Sequence, residues 1–498
     1  MWILRCAASV IQAAWRFLKP PINAQQCPHA NATTQGHHDF HRSSSERCMG
    51  RVCVATKTFK PGDIVFEDNA FVYASELPNR CLACCEDHGA SDCDRLAEAS
   101  DPLFCPPDVL KDLDTAADEM CDLDGVNTLD RARCFIQCML LRRNDQHSLD
   151  PLLKLVAANL PRCLESVVEI RARFPAVIPE GLGDDDAAQI LGALNTNSHE
   201  LEQVEGSGLF LMACITEHDC SPNCSFTTFR DTLWLTAIRP IMQDDRLSID
   251  YSNSFYLPTA ERRVELEDIY GFVCNCRGCT VLPDRCRAFR CPSHDCLNGK
   301  VCPHGDGGDG DGGEEKSSSR NWGCLDCGHQ CSPEEIGVLL EAEAALVHKF
   351  ETVDELGVEQ IEEMVAERGV IHPTHFAAFW ALESTAKRLS GESVAPGGRG
   401  ARRRVALEAE AAWSRVVSAV EETLPALHHE KVVYLDALAQ AKVVAGDIEG
   451  ARDAYKSAHR VSAMVSGVNT PPTLDLKSLS ERPPTTVQEL RARYDASA

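Results

Sequence analysis

From residue 50 onward, apolar positions first occur in short β-type runs and only later recur every three or four residues. Residues 52–56, 64–67 and 70–73 are such runs, and Lys60-Pro61-Gly62-Asp63 supplies a turn, which together predict an antiparallel beginning. Between residues 131 and 175 the period changes. Ile136 with Leu140, then Leu152, Leu155, Val156 and Leu160, fall at helical spacing. A β-rich block returns from Leu209, with strands at 226–229 and 232–238 joined across Arg230-Asp231 as a hairpin, and a further strand at 246–251. Thr259 is a good N-cap for a helix running to Tyr270, with Glu261 in its first turn and Gly271 stopping it. From Pro333 the pattern is helical to the end, broken by a loop at 391–404. Ala445-Gly446-Asp447 with Ala451, Tyr455 and Ala458 resembles half of a tetratricopeptide hairpin, which predicts packed antiparallel helices there.

The 498 residues leave room for roughly three domains. Hydrophobic residues at 44% and charged residues at 25% suit a chain with a substantial core. Lysine and arginine total 49 against 75 acids, a formal charge of −26, so a basic nucleic-acid footprint is absent and direct nucleic-acid binding is not expected. A basic protein partner suits this balance better. Residues 86–130 are the most acidic stretch and predict a cysteine-bearing insertion with a solvated face. Residues 22–47 read as a linker, and the Gly/Asp/Ser tract 305–319 as flexible. The first twenty residues carry Arg5, Arg16 and Lys19 ahead of any acid, and the apolar run 6–15 is too short to span a bilayer. Three readings of this tail stay open: a frayed end, a targeting presequence, and a calmodulin-binding helix, since Ile11-Gln12-x-x-x-Arg16 resembles the start of an IQ motif. No later run is apolar enough to place the chain in a membrane.

Cysteine is the unusual component, with 26 in the chain. Cys-x2-Cys and Cys-x-Cys pairs recur, a spacing that suits a tetrahedral ion better than a disulfide between neighbours, and zinc in a reducing compartment follows. Cys274-x-Cys276-x2-Cys279 offers three thiolates, and Cys220, followed by a proline turn, is the natural fourth donor. In the acidic insertion, Cys81-x2-Cys84 opens a second group, to be completed by two of Cys85, Cys93, Cys105 and Cys121. A third group is Cys291-x4-Cys296 with Cys324-x2-Cys327, a zinc-ribbon pattern for which Cys286, Cys302, Cys331, His294 and His304 are spare candidates.

Glu217-His218-Asp219-Cys220-Ser221-Pro222-Asn223, then Leu247-Ser248-Ile249-Asp250-Tyr251, then Tyr270-Gly271-Phe272-Val273-Cys274, occur in that order. Together with Pro258-Thr259-x-Glu261-Arg262-Arg263 they resemble the signature of the SET-and-MYND (SMYD-like) branch of SET-domain protein-lysine methyltransferases. The likeness covers about residues 46–280 well. His372-Pro373-x-His375 looks like the corresponding C-terminal helical region. The resemblance implies an α+β fold: a SET β fold with a pseudoknot threaded around 218–223, cysteine-rich zinc insertions, and an all-α C-terminal domain with tetratricopeptide-like helices.

It further implies S-adenosylmethionine as cofactor and a lysine in a basic histone or non-histone segment as substrate, in nucleus or cytoplasm. Carried over residue by residue, Gly50 and Arg51 meet the methionine end of the cofactor, and Asn197 binds it, with Asn195 the competing register. His218 contacts the adenine through its backbone and Phe272 stacks on the ring. Tyr251, the principal catalytic tyrosine, and Tyr270 line the lysine channel. Cys134-x3-Cys138 resembles the closing ligands of a degenerate MYND module. Glu217, Asp219 and Val52 depart from the family's pattern, so the same fold kept as an inactive protein-binding scaffold is the alternative reading. The expected organisation is a tail (1–45), the N-terminal part of the SET domain (46–80), the MYND-like insertion (81–140), a helical insertion (141–195), the core SET domain (196–257), a post-SET zinc segment (258–280), a second cysteine cluster (281–332) and a helical C-terminal domain (333–498).

Overall fold

A computed structural model describes residues 52–88, 93–252, 254–304, 322–353, 355–367, 369–394 and 399–495. Gly50, Arg51, the tail with residues 11–16 and the tract 305–319 lie outside these residues. In chain order the strands are β1 (Ile64–Asn69), β2 (Val72–Ser75), β3 (His199–Leu201), β4 (Gly206–Leu209), β5 (Glu217–His218), β6 (Cys224–Phe229), β7 (Thr232–Ala237), β8 (Ser248–Ile249), β9 (Phe289–Arg290), β10 (Lys300–Pro303) and β11 (Trp322–Cys324). They make three small antiparallel sheets, β1-β7-β6, β2-β4-β3 and β11-β10-β9, and one parallel pair, β5-β8.

The β6–β7 hairpin forms where the pattern predicts it, with Phe229 opposite Thr232 and Arg230 in the left-handed region at φ 53°. Leu233 and Leu235 face inward, while the Trp234 indole Nε1–H donates to Glu67 on β1 at 2.9 Å. On β4, Gly206 is obligatory: a Cβ there would lie 1.9 Å from the Ala74 carbonyl oxygen of β2. The strands expected at 52–56 and 246–251 are shorter than their patterns. Val54 makes only an isolated bridge to Arg246, and the second run keeps strand form only at Ser248–Ile249.

The acidic insertion holds a helix its charge concealed, Pro107–Met120. Leu110, Leu113, Ala116, Ala117 and Met120 are buried at helical spacing, and Asp112, Asp118 and Glu119 face solvent. Next comes helix Leu129–Asn144, which lies on β2. There the Arg133 guanidinium donates to the carbonyls of Ser75, Leu77 and Pro78, and the Gln137 amide to those of Tyr73 and Leu82.

Helix Thr259–Tyr270 begins at Thr259 itself rather than being capped by it. Asp284 accepts the Thr259 N–H at 2.6 Å, supplying from outside the helix what the threonine hydroxyl was expected to supply. Gly271 ends the helix at φ 74°. In the C-terminal part, helix Phe376–Val394 runs into the expected loop and the next begins at Arg399, so that loop is shorter than its glycines suggest. The expected hairpin is present as His429–Ala445 and Ile448–Val465, with Gly446 at φ 91° between them and Asp447 capping Gly450 at 2.9 Å. Ala451, Tyr455 and Ala458 are fully buried in it.

Two of the contacts that fasten the helical block to the rest centre on Tyr256 and Glu343. The Tyr256 ring stacks on Phe379 at 3.8 Å, its hydroxyl reaches the Thr374 carbonyl and Thr423 Oγ1, and Trp380 donates back to the Tyr256 carbonyl at 3.2 Å. Glu343 on helix Pro333–Thr352 accepts from Arg287 Nε at 2.8 Å and pairs with His375 Nε2 at 3.0 Å. Burial alone would raise the Glu343 pKa, but these partners hold it at about 2.

That carboxylate therefore stabilises the fold above its unfolded pKa of 4.5, and the contribution fades as pH falls through 4.5 toward 2. Glu343→Ala is expected to cost about 3 kcal/mol at neutral pH. In denaturant unfolding, the gap to the wild-type chain should close across that acid window.

Candidate active site and metal centres

One short segment, Glu217 to Asn223, organises the site. Its first two residues form β5, parallel to β8, and its last residue ties the two segments together. The Asn223 amide Nδ2 donates to the Arg246 carbonyl at 2.7 Å, Oδ1 accepts the Ser248 N–H at 2.9 Å, and the Asn223 N–H reaches Ser248 Oγ at 3.2 Å. A side-chain amide serves here because one group must donate to one peptide and accept from another. Glu217 and Asp219 spend their N–H groups on Leu247 and Ile249, so the His218 peptide between them faces the opposite way.

The His218 side chain is only 3% exposed. Its Nδ1 accepts the Tyr251 N–H at 3.0 Å, and its Nε2 lies 3.2 Å from Cys220 Sγ, which sets the proton on Nε2. Burial holds the imidazole neutral, lowering its pKa to about 4. The side chain of His218 thus fixes the Tyr251 backbone and lies against the Cys220 thiol.

Tyr251 and Tyr270 face each other with ring centroids 5.1 Å apart, and Phe272 and His218 complete the aromatic group. The Tyr251 hydroxyl donates to the Thr216 carbonyl, and the Tyr270 hydroxyl to the Tyr251 carbonyl at 3.1 Å. Each oxygen thereby turns its lone pairs away from its own proton. Burial pushes the Tyr270 pKa up to about 12, with Glu265 and Asp250 adding to it, and pushes Tyr251 further. Both stay protonated at neutral pH.

Asn197 ends helix Asp184–Asn197. Its amide bonds the Val156 and Ala193 carbonyls, and its own carbonyl accepts from Cys214, next to the Ile215–Thr216 segment. Asn195 turns instead into the insertion, onto the Gly125 carbonyl at 2.7 Å. Val52 directly precedes Cys53, whose backbone bonds both Ile215 and Leu247, so the chain leaving residue 51 enters beside β5 and β8. Glu217, one of the departures, pairs with Arg246 at 3.4 Å.

Among the described residues, four groups of side chains that could hold a metal ion have their donor atoms within 4.8 Å of one another. Cys220, Cys274, Cys276 and Cys279 meet as expected, with Cys220 Sγ 3.5 Å from Cys279 Sγ. So do Cys291, Cys296, Cys324 and Cys327. The second of these is built for an ion: a Cβ at Gly299 would lie 2.3 Å from Cys296 Sγ and 2.7 Å from Cys324 Sγ. Each set offers four soft thiol donors close enough together to surround one small ion, which fits zinc.

The insertion departs from expectation. Cys81, Cys84 and Cys93 gather, but the fourth donor is His88, its Nε2 3.1 Å from Cys84 Sγ. Cys85, Cys105 and Cys121 stand outside the group. Cys134 and Cys138 are also corrected. They sit fully buried on helix Leu129–Asn144, with Cys134 Sγ facing the Ser207 carbonyl, and their four-residue spacing is that of an apolar helix face. His88 carried a signal that was present but unread: it follows Cys84 by four residues in a turn-rich loop. A further trio, His329, Cys331 and Glu335, includes the carboxylate that caps helix Pro333–Thr352, so its geometry is already accounted for.

This arrangement is that of a SET domain, and the SET-domain family profile matches residues 50–252. Within that class the chain's relatives are SET-and-MYND proteins. It is 25% identical to N-lysine methyltransferase SMYD2-A of Danio rerio over 262 residues, 46% of this chain and 58% of the relative. It is 36% identical over 80 residues to histone-lysine N-methyltransferase SMYD3 of Mus musculus, covering 16% of this chain and 18% of that one. Over 74 residues it is 35% identical to the potential protein lysine methyltransferase SET6 of Saccharomyces cerevisiae, covering 15% and 20%. The chain thus spans little more than half the length of the zebrafish relative and a fifth or less of the other two. No helix among the described residues is long and apolar enough to cross a membrane.

Asn223→Ala removes the side-chain hydrogen bonds to the Arg246 carbonyl, the Ser248 N–H and the Ser248 hydroxyl, and is expected to cost about 2 kcal/mol. Hydrogen exchange should show faster amide exchange at residues 217–223 and 246–251 while the C-terminal helices keep their protection.

Proposed function

We propose that the chain is an S-adenosylmethionine-dependent protein-lysine N-methyltransferase that acts on a lysine in a basic histone or non-histone segment, in nucleus or cytoplasm, and holds three zinc ions. The observation that carries this reading is the Tyr251–Tyr270 pair, whose hydroxyl protons are committed to carbonyls while their oxygens remain free to accept from an amine. Phe272, the outward-facing His218 peptide and Asn197 are the residues that would hold the cofactor, together with Gly50 and Arg51. Phe272 fits a flat base, because its part-exposed ring stands 5.8 Å from the His218 ring. The bound cofactor would supply a methyl group on a sulfonium, open to in-line attack.

The chain's own task is to bring in a lysine and leave it neutral. Asp250 and Glu265 both act on Tyr270 electrostatically, and Asp250 also acts on Glu430 of the helical block. These carboxylates favour approach of a basic segment. Deprotonating a lysine from its reference pKa costs about 4.6 kcal/mol at pH 7. Aromatic walls that exclude water disfavour the ammonium form, and the Tyr251 and Tyr270 oxygens can then orient the amine by accepting its N–H bonds. Among the departures, Glu217 is offset by Arg246, which supports retained cofactor binding over the inactive-scaffold alternative.

Zinc at the Cys220 group would join helix Thr259–Tyr270 to the β5 segment and so fix both tyrosines, since His218 bridges Cys220 to Tyr251. Burial pushes the Cys81 thiol up to about 12, a cost that a bound divalent cation would reverse by stabilising the thiolate.

Calorimetric titration of the zinc-replete chain with S-adenosylmethionine should give a one-to-one isotherm, and a lysine-peptide panel should show methyl transfer by mass spectrometry. Tyr251→Phe should lose at least about a hundredfold in that rate while still binding the cofactor. A folded chain that gives no heat would overturn the enzyme reading in favour of the scaffold. Metal analysis should find three zinc ions per chain, and Gly299→Ala should leave two.

A further inference from the structure

The hairpin that leaves β11 brings three unlike donors together, apart from the cysteine-rich groups proposed to hold zinc. Gly328 turns the chain at φ 74°, and residues 329–331 return extended along β11. The Cys324 N–H donates to the His329 carbonyl at 2.8 Å, and the Cys331 N–H to the Trp322 carbonyl at 2.9 Å. Gln330 bridges Gly323, so His329 and Cys331, two positions apart, share one face. Glu335, in the first turn of helix Pro333–Thr352, reaches back over that face, and both of its carboxylate oxygens lie 3.2 Å from His329 Nε2. The imidazole nitrogen, the Cys331 sulfur and a Glu335 oxygen all fall within 4.8 Å of one another.

Capping accounts for Glu335 and, through its carboxylate, for His329, but not for Cys331. Glu335 Oε2 accepts the Ser332 N–H at 2.7 Å, which leaves the carboxylate further lone pairs, and the cap makes no use of the thiol. Around a tetrahedral ion, nitrogen, sulfur and oxygen ligands stand about 3.3–3.8 Å apart, so the trio needs only a small contraction. Imidazole and thiol exclude calcium and magnesium, which take oxygen donors, and fit zinc or a neighbouring transition ion. Thiolate and carboxylate together would neutralise a divalent charge, which offsets the positive end of the helix beside it. The place is also reachable from solvent. Cys331 is 4% exposed, but the His329 and Glu335 side chains are 30% and 33% exposed, so an ion and a water ligand can enter.

We infer that His329, Cys331 and Glu335 bind a fourth, exchangeable transition-metal dication such as zinc, which ties the hairpin after β11 to the helix that follows. With three protein ligands against four in each of the other groups, it is the weakest site and empties on desalting. The test uses the full-length chain, loaded with zinc, desalted to its three tight ions and then titrated with cobalt(II). Zinc holds the filled sites against cobalt. One further cobalt should bind per chain with the absorption of a single thiolate–cobalt bond, raise the melting temperature, and be displaced by added zinc. Losing even a partner behind a ligand costs about tenfold in affinity, so Cys331→Ser and Glu335→Gln should each weaken this step by more than about tenfold. Glutamine still serves a capping box, so Glu335→Gln should melt as the wild-type chain does when no cobalt is present. None of these readouts depends on methyl transfer.

A desalted chain that takes up no further cobalt would overturn the site. So would a fourth ion whose affinity survives both substitutions, since it would then be held elsewhere. A Glu335→Gln chain that melts lower without cobalt, yet binds it as tightly as wild type, would leave the carboxylate a helix cap and nothing more. Weakened binding in that variant with an unchanged metal-free melting temperature would establish Glu335 as a ligand.

Discussion

The crossing of β5 and β8 is the constraint on which the site depends. Within six residues of chain, His218 fixes the Tyr251 backbone, Cys220 supplies a thiol to the post-SET group, and Asn223 bonds peptides on the far segment. None of the three could be moved without displacing the others. The parallel pair itself contains only two residues per strand, far too little for independent stability. It persists because side chains and the four-cysteine group hold it from both ends, and the tyrosines inherit that fixity.

The other cysteine groups sit at matching places elsewhere. β9, β10 and β11 are two to four residues long, and the sheet they form has few apolar residues of its own. Its Cys291 group pins the strand ends, while Phe289 and Trp322 pack toward Ile371 and Ala378 of the helical block. The same division recurs in the acidic insertion, where Cys81, Cys84, His88 and Cys93 gather the loop and the apolar faces of two helices form the core beneath it.

Features governed by local chemistry were legible in the sequence. The Arg230-Asp231 turn, the glycine stop at Gly271 and the Cys274-x-Cys276-x2-Cys279 run each announce themselves within a few residues, and Cys220 could be paired with that run because its proline turn marks a loop. What was misread had two competing explanations of equal local form. Cys134 and Cys138 are spaced as ligands and equally as neighbours on a helix face, and only the packing of Phe135, Ile136 and Met139 around them decides. His88 follows Cys84 by four residues, but among 17 histidines that spacing alone does not single it out. Helix Pro107–Met120 was hidden because five acids are interspersed among its apolar residues, although the apolar ones alone keep the helical period.

The burial of Tyr256 bears on how the protein could be divided. Its ring lies in the stretch that leads from Tyr251 to helix Thr259–Tyr270, yet its surroundings are Phe379, Trp380, Thr374 and Thr423, all from the helical block. Ile238 and Cys286 share that same apolar cluster. A fragment ending after the cysteine run would therefore expose a raw aromatic surface close in sequence to Tyr251 and Tyr270. The SET portion and the helices share this apolar cluster, so a cut between them would divide a core rather than a linker.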